Sequence, residues 1–437
     1  MPLLNPGLKI RSRSDNEYEI IKPIAHGGQA EIYLVQSGQK QMVLKVYFKE
    51  WATPLQKSII KRLIEFESPS PYFVWPLDFV EFDDISSFGF ISKYVKLDDY
   101  FSLESKRFEE EGIHFHNDIT SAILIADSLF RLHVRGLCYA DISGTNIAIN
   151  RTSGSVRIFD TDNILFNGEA GMVGGTLPFK APELITGKTI YPSADTDRYS
   201  LSVALFLLLF RIHPFNGKKY SQLPFVEEEE MKRLYGYKPV FIFDPNNEEN
   251  RPDDPDVDEQ RIANILWNAY PDYIKNLMIV TFTKGLQDPN VRSREMTWRH
   301  ALMKLRDSIV RCPSCQTENF FPTESINCKC WNCANQIITP PMIKIIGPGF
   351  NHTIVLKEGS EICKGHLDNS YELRNKVGQI EKTDKCKNLG LKNISSVPWK
   401  YKITSGGAGL TPPSKGVCVT DKVTIQFSKD VAGMFIT

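Results

Sequence analysis

Three regimes of patterning follow one another along the chain. Between residues 18 and 95, apolar and polar positions alternate in short runs broken by Gly27-Gly28, Ser37-Gly38 and Asp83-Asp84. Period-two alternation between turn residues is the mark of half-buried strands, and it predicts a β-meander with one helix over 54–66. From 113 to 305 long apolar-periodic stretches dominate, including 119–132 and 200–210, and the reading there is helical. Past a cysteine-rich stretch, short strand candidates return at 343–346, 353–356, 377–380, 417–419 and 423–427. Gly347-Pro348-Gly349, Gly406-Gly407 and Pro412-Pro413 supply the turns between them. No internal repeat is visible.

Composition narrows the class. The 437 residues are 42% hydrophobic and 24% charged, enough for two or three domains and a large core, which excludes a disordered or fibrous chain. The longest apolar run, Val203 to Phe210, falls far short of the roughly 20 residues a membrane helix needs, so no span is predicted. The N-terminus lacks a basic cluster followed by an apolar stretch, and a cytoplasmic, reducing location is expected. Lys plus Arg balance Asp plus Glu at 52 each, but not locally. Residues 227–259 hold twelve acidic against four basic side chains, and 341–437 hold 14 basic against 8 acidic. The plain reading is a solvated acidic loop and a mildly basic domain; the alternative is that the two faces dock or receive partners.

Candidate chemistry concentrates in the first two regimes. Gly27 and Gly28 lie between two strand-like runs, where glycine lets a hairpin approach phosphates closely. Lys45 sits inside the apolar run Met42-Val43-Leu44-Lys45-Val46, and a lysine placed there calls for a phosphate or carboxylate. The most specific signal is Asp141 followed by Asn146, then Asp160 at the end of the apolar strand Val156-Arg157-Ile158-Phe159. An Asp and an Asn five residues apart, with a second Asp 19 residues after the first, can hold a proton acceptor and two metal ligands around a triphosphate. Gly175-Thr176-Leu177-Pro178-Phe179-Lys180-Ala181-Pro182-Glu183 follows, and Asp197 opens an apolar helix.

On these motifs residues 18–305 resemble the protein kinase superfamily, specifically bacterial kinases of the eukaryotic-like Ser/Thr type. The resemblance implies a two-lobed fold, ATP and Mg²⁺ as cofactors, and transfer of a γ-phosphate to Ser or Thr, the protein's own included. It implies Asp141 as catalytic base, Asn146 and Asp160 as Mg²⁺ ligands, and Lys45 on the α- and β-phosphates. Gly27 and Gly28 belong to the phosphate loop flanked by Ile24 and Ile32. Ser92 is the expected gatekeeper, with the backbone of Lys93 and Val95 facing adenine. Glu65, or failing it Glu67, is the expected helix partner of Lys45. Residues 217–260 look like an insertion.

Departures from the pattern matter. Ala25 and Ala30 replace the outer loop glycines, and Asp160-Thr161-Asp162 lacks the usual phenylalanine. Asp162 reads as an N-cap or solvent-facing acid, or as an added metal contact. Ala140 replaces the arginine that would bind a phosphorylated activation segment, so a non-RD kinase free of that control is expected; Thr161 and Thr176 are the only phosphorylatable residues in residues 160–183. Ser143 replaces a lysine near the γ-phosphate, which keeps a small-molecule kinase open beside a nucleotide-binding pseudokinase scaffold. His133 and His213 read as structural.

Cys312-x-x-Cys315 and Cys330-x-x-Cys333, 14 residues apart, suit tetrahedral Zn²⁺ and look like a zinc ribbon, with Cys328 able to substitute for Cys330. The ribbon's flanks are not basic, which argues against nucleic acid. The fold class expected is therefore α+β: a two-lobed kinase fold, a zinc ribbon and a small all-β sandwich. The boundaries are a tail at 1–15, N-lobe at 16–95, C-lobe at 96–311, ribbon at 312–340 and sandwich at 341–437. The last distantly resembles forkhead-associated domains, without their phosphate-binding residues, and an interaction role is expected. Similar kinases often accompany a cognate metal-dependent protein phosphatase, the one partner implied besides an unnamed protein substrate.

Overall fold

The computed structural model describes residues 2–105, 112–169, 175–223, 225, 227–254, 256–383 and 389–437. Residues 170–174 of the activation segment and 224, 226 and 255 of the expected insertion lie outside them. The chain forms two compact units, one of residues 1–112, 124–261 and 278–295, the other of residues 113–123, 262–277 and 296–437.

In the first unit a six-stranded antiparallel sheet runs in the order β1-β2-β3-β4-β6-β5. Its strands are β1 (Lys9–Arg11), β2 (Glu17–His26), β3 (Ala30–Ser37), β4 (Lys40–Tyr47), β5 (Asp78–Phe82) and β6 (Ser87–Lys93). Alternation sends Tyr18, Ile20, Tyr33, Val35, Leu44, Val46, Val80 and Ile91 into one core. Ala30, Tyr47, Phe79, Phe88 and Phe90 form a second core with Ile60 of helix α1 (Pro54–Glu65). Thr53 caps that helix, its hydroxyl accepting the Gln56 N–H, and Pro54 supplies the pre-set φ of a first turn.

Residues 2–15, expected as a tail, are not free. Strand β1 pairs with β2 through Ile10↔Tyr18, and Leu4 and Ile10 are buried in the sheet's core. Burial of Leu4 and Ile10, with Leu3 packed against them, gives the segment a reason to fold.

The helical part of this unit centres on Ala194–Phe210, capped by reciprocal bonds between Ser193 and Thr196 and buried along most of its length. A helix apolar on every side belongs in a core. Here Phe206 packs edge-on against Phe241 and Phe282.

The second unit holds two short hairpins and a β domain. Strand Ile309–Arg311 pairs with Glu318–Phe320, and Asn327–Lys329 with Gln336–Ile338. Phe320 packs on Phe115 and Tyr270 at ring distances of 4.6 and 5.0 Å. The compact unit thus takes in short helical pieces of the expected C-lobe. Beyond residue 341, a six-stranded and a four-stranded antiparallel sheet share one core of Ile343, Ile345, Ile362, Leu391, Trp399 and Ile425. This is the all-β region expected, with further strands at Trp399–Ile403, whose residues alternate apolar and polar, at Gly407–Thr411 and at Ala432–Ile436, beyond the candidates named from the sequence.

Candidate active site

A cleft of about 440 Å³ opens in the first unit, lined by Ile24, Ala25, Ile32, Val43, Lys45, Phe90, Ser92, Lys93, Val95 and Asp160 among others. Antiparallel register brings these together, with Ile32 opposite Lys45 and Lys45 opposite Phe90. Gly27 and Gly28 form the β2–β3 turn, where the Gly27 N–H donates to the Ala30 carbonyl at 2.9 Å, and they do not line the cleft.

Lys45 Nζ lies 3.2 Å from Asp160 Oδ1 and 2.9 Å from Asp162 Oδ2. Burial alone would lower the ammonium's pKa, but the charges of Asp162 and Asp160 outweigh it and hold it above its ordinary value. Asp162 is neither solvent-facing nor a cap. Its side chain is 1% exposed. It accepts from the Tyr47 hydroxyl, while Gln56 Nε2 of helix α1 donates to the Asp162 carbonyl at 2.9 Å and to the Tyr47 hydroxyl at 3.1 Å. Both carboxylate oxygens are engaged within the protein, by the Lys45 ammonium and the Tyr47 hydroxyl.

Glu65 does not take the expected place. It lies in the last turn of α1, beside a recess lined by Arg13, Lys61 and Asp78, and no ion pair joins it to Lys45 among the described residues. Glu67 lies beyond the helix, its carbonyl accepting from Arg135. The helix presents the neutral Gln56 toward Tyr47, and the negative charge is supplied by the Asp160-Thr161-Asp162 turn.

Asp141 is held from both sides. Its Oδ1 accepts the Thr176 N–H and hydroxyl, each at 3.0 Å, and its Oδ2 lies 3.3 Å from Asn163 Nδ2 and 3.4 Å from Asn146 Nδ2. Asn146 Nδ2 also donates to the Asp141 carbonyl at 3.0 Å. Burial raises the Asp141 pKa, the bonds from Thr176 oppose it, and the charge of Asp160 adds to the rise. Asp160 has a left-handed backbone, φ 49°, and a carboxylate 44% exposed at the cleft. Asp160 and Asn146 are thus an exposed carboxylate and an amide oxygen, hard donors that suit Mg²⁺. Thr161 is buried, its hydroxyl donating to the Val74 carbonyl at 2.6 Å.

Residues whose pairing the sequence does not reveal hold this loop. Ala140 has φ 67°, and the Tyr139 and Ala140 N–H groups donate to the two oxygens of Asp197 at 2.6 and 3.0 Å. His133 bridges Asp197 at 2.9 Å and Glu295 at 2.8 Å. Burial would lower the His133 pKa, yet its bonds to the two carboxylates push it up to about 9. Arg292 makes a paired contact with Glu183 at 2.7 and 2.8 Å. Of these partners Asp197 and Glu183 stand in recognisable motifs, whereas Glu295 and Arg292 do not.

In the second unit the sulfurs of Cys312, Cys315, Cys330 and Cys333 all lie within 4.8 Å of one another. Cys330, not Cys328, completes the set. Sulfur–sulfur distances of 3.6 Å for 312–333 and 315–330 match the edge of a tetrahedron with metal–sulfur bonds of about 2.3 Å.

An antiparallel lobe, a buried lysine–carboxylate pair and an Asp–Asn loop make up the arrangement the resemblance to protein kinases implies. The sequence profile described as protein kinase domain matches residues 18–294, and the chain belongs to the protein kinase family. It is 28% identical over 148 residues to NUAK family SNF1-like kinase 2 of Rattus norvegicus, covering 32% of this chain and 22% of that protein. It is 26% identical over 232 residues to the carbon catabolite-derepressing protein kinase of Candida glabrata, covering 49% and 36%. A third relative is the serine/threonine-protein kinase mos of Patiria pectinifera, 26% identical over 113 residues, covering 24% and 32%. The chain thus spans little more than a third, at most, of the length of these relatives.

Proposed function

We propose that the protein is an ATP- and Mg²⁺-dependent Ser/Thr protein kinase. Lys45 and Asp160 facing one cleft, with Asn146 bonded to Asp141 and the charge of Asp160 felt at Asp141, support this most directly, and the named Ser/Thr kinase among its relatives adds weight. ATP enters with adenine against Ile24, Ile32 and Val43 and its phosphates toward Lys45. Asp160 and Asn146 would hold Mg²⁺, which when bound would supply charge neutralisation on the transferring group. Asp141, oriented by the Asn146 and Asn163 amides, receives the substrate hydroxyl and its proton.

Asp162 takes the place of the helix glutamate as the counter-ion of Lys45. Because Tyr47 and the α1 residue Gln56 brace it, the pair is assembled without a charge from helix α1. Activation-segment phosphorylation is not the switch in this reading: Ala140 carries no cation and Thr161 is buried. The four cysteines hold structural Zn²⁺, and the β domain serves interaction. No described helix is long and apolar enough to cross a membrane; a cytoplasmic site of action and a partnering metal-dependent phosphatase complete the proposal.

Incubation with ATP, Mg²⁺ and a generic protein substrate, followed by mass spectrometry, tests it. Acid-stable phosphate on Ser or Thr of the substrate or of the chain itself is expected. ATP turnover that labels only small hydroxylated metabolites would assign a small-molecule kinase instead.

A further inference from the structure

The loop of residues 141–146 carries no cation of its own, and a carboxylate from outside the loop lies against it within the first unit. Strand Tyr100–Ser102 pairs with Ile147–Asn150, the strand that leaves the loop, through Ser102↔Ala148 and Phe101↔Ile149. The attachment continues at Leu103, a buried residue whose N–H donates to the Gly144 carbonyl at 3.0 Å. A turn follows, in which the Ser105 N–H donates to the Ser102 carbonyl at 3.0 Å. Glu104 lies inside that turn, so its backbone is fixed relative to Asp141 and Asn146.

Its side chain is placed as closely. A Cβ on Gly144 would meet Glu104 Cγ at 2.6 Å and Cδ and Oε1 at 3.0 Å each. Gly144 does not have the left-handed backbone that favours glycine, so it is the space taken by Glu104 that excludes a side chain there. No hydrogen bond or ion pair engages the Glu104 carboxylate among the described residues. Burial alone raises its pKa, with no cation to oppose the rise, yet the residue is exposed. A carboxylate that is partly desolvated, unmatched and open to solvent favours a cation brought from outside. The loop offers none: where the resemblance implies a lysine, Ser143 is buried, its Oγ accepting the Asn146 N–H at 3.3 Å.

The reach can be bounded. Three residues of chain span at most about 11 Å, so the Glu104 carboxylate beside Gly144 lies within roughly 15 Å of the Asp141 backbone. An extended peptide with a long side chain covers that distance in about four residues.

We infer that Glu104 is a specificity-determining residue, its carboxylate receiving an arginine or lysine of the protein substrate within about four residues of the Ser or Thr that Asp141 engages. The inference rests on the kinase reading above. Arginine suits the position better than lysine, because its planar fork pairs both oxygens of a carboxylate.

The test is steady-state phosphorylation, by the full chain, of a Ser peptide in an alanine background and of a series carrying one arginine, or one glutamate, at each neighbouring position. Arginine at a position within about four residues of the Ser should raise kcat/KM about tenfold over the parent peptide, chiefly through KM, and glutamate there should lower it. Glu104→Gln should erase the difference between the arginine and parent peptides, and Glu104→Asp should retain part of it. Glu104→Lys should turn the preference to the glutamate peptide, a reversal that a merely structural role would not produce. Melting curves report whether the variants fold; if Glu104→Lys does not, the Gln and Asp variants decide. Equal kcat/KM for all peptides, or an arginine preference undiminished in Glu104→Gln, would overturn the inference and leave the kinase reading standing. So would labelling of the chain itself with no peptide labelled. Absence of transfer to any peptide or protein, with ATP still bound, would overturn the kinase reading and the inference with it.

Discussion

Replacing Asp162 by Asn tests where the lysine's counter-ion comes from. Lys45 is 13% exposed and Asp162 1%, so their contact at 2.9 Å is shielded from water. Breaking a buried pair by removing one partner costs about 3–5 kcal/mol when the remaining charge is left alone. Lys45 would not be alone, because Asp160 stays 3.2 Å away on a carboxylate 44% exposed. The loss should therefore fall nearer the strength of one charge-assisted hydrogen bond, about 1.5–3 kcal/mol. If that loss appears in the transition state, kcat/KM for ATP drops by roughly 10- to 150-fold, at about 1.4 kcal/mol per decade. Part of it should appear as a raised KM, because Lys45 would draw toward Asp160, the proposed metal ligand. Glu65→Gln is the matched control: the side chain is exposed and away from the cleft, and the change should stay within about 0.5 kcal/mol. Steady-state kinetics of both variants, with circular dichroism to confirm folding, reads the outcome. A damaged Glu65→Gln beside a normal Asp162→Asn would refute the reasoning and restore the glutamate of helix α1 as the partner.

Two further predictions concern stability. His133 is raised to about 9 in the folded protein from an ordinary 6.5, so its contribution is full below about pH 6.5 and is lost as pH rises through 9. Denaturant midpoints should fall across that window, and the fall, of order 1–3 kcal/mol, should be absent from a folded His133→Gln variant. For the cysteine cluster, Cys315→Ser should release one zinc per chain and lower the melting temperature of the second unit, whereas Cys328→Ser should keep the metal; elemental analysis distinguishes them, and zinc loss from the Cys328 variant would contradict the ligand set.

Much of this site could be read from local sequence. Asp141, Asn146 and Asp160 are separated by short intervals along one strand–loop–strand stretch, and Lys45 is conspicuous as a charge within an apolar strand. Asp162 was not legible in its role, because its partners Lys45, Tyr47 and Gln56 come from a lobe more than 100 residues earlier. The resemblance to kinases implied a helix glutamate for Lys45, but Glu65, in the helix's final turn, lines a different recess. His133 looked like an isolated core histidine, and the carboxylates that charge it lie 64 and 162 residues away. The first strand, three residues long, was too short for periodicity to register. Strands rich in glycine, such as Gly407–Thr411, carry little alternation and were passed over for the same reason. The choice between Cys328 and Cys330 depended on how the second hairpin turns, which spacing does not encode.

The most direct test of the central claim is transfer of labelled γ-phosphate from ATP with Mg²⁺, comparing the wild type with Asp141→Asn and Asp160→Asn while nucleotide binding is measured in parallel. The account predicts labelling of Ser or Thr by the wild type, its loss in both variants, and ATP binding retained by Asp141→Asn. Binding of ATP by the wild type with no transfer to any protein would contradict it and leave a nucleotide-binding scaffold.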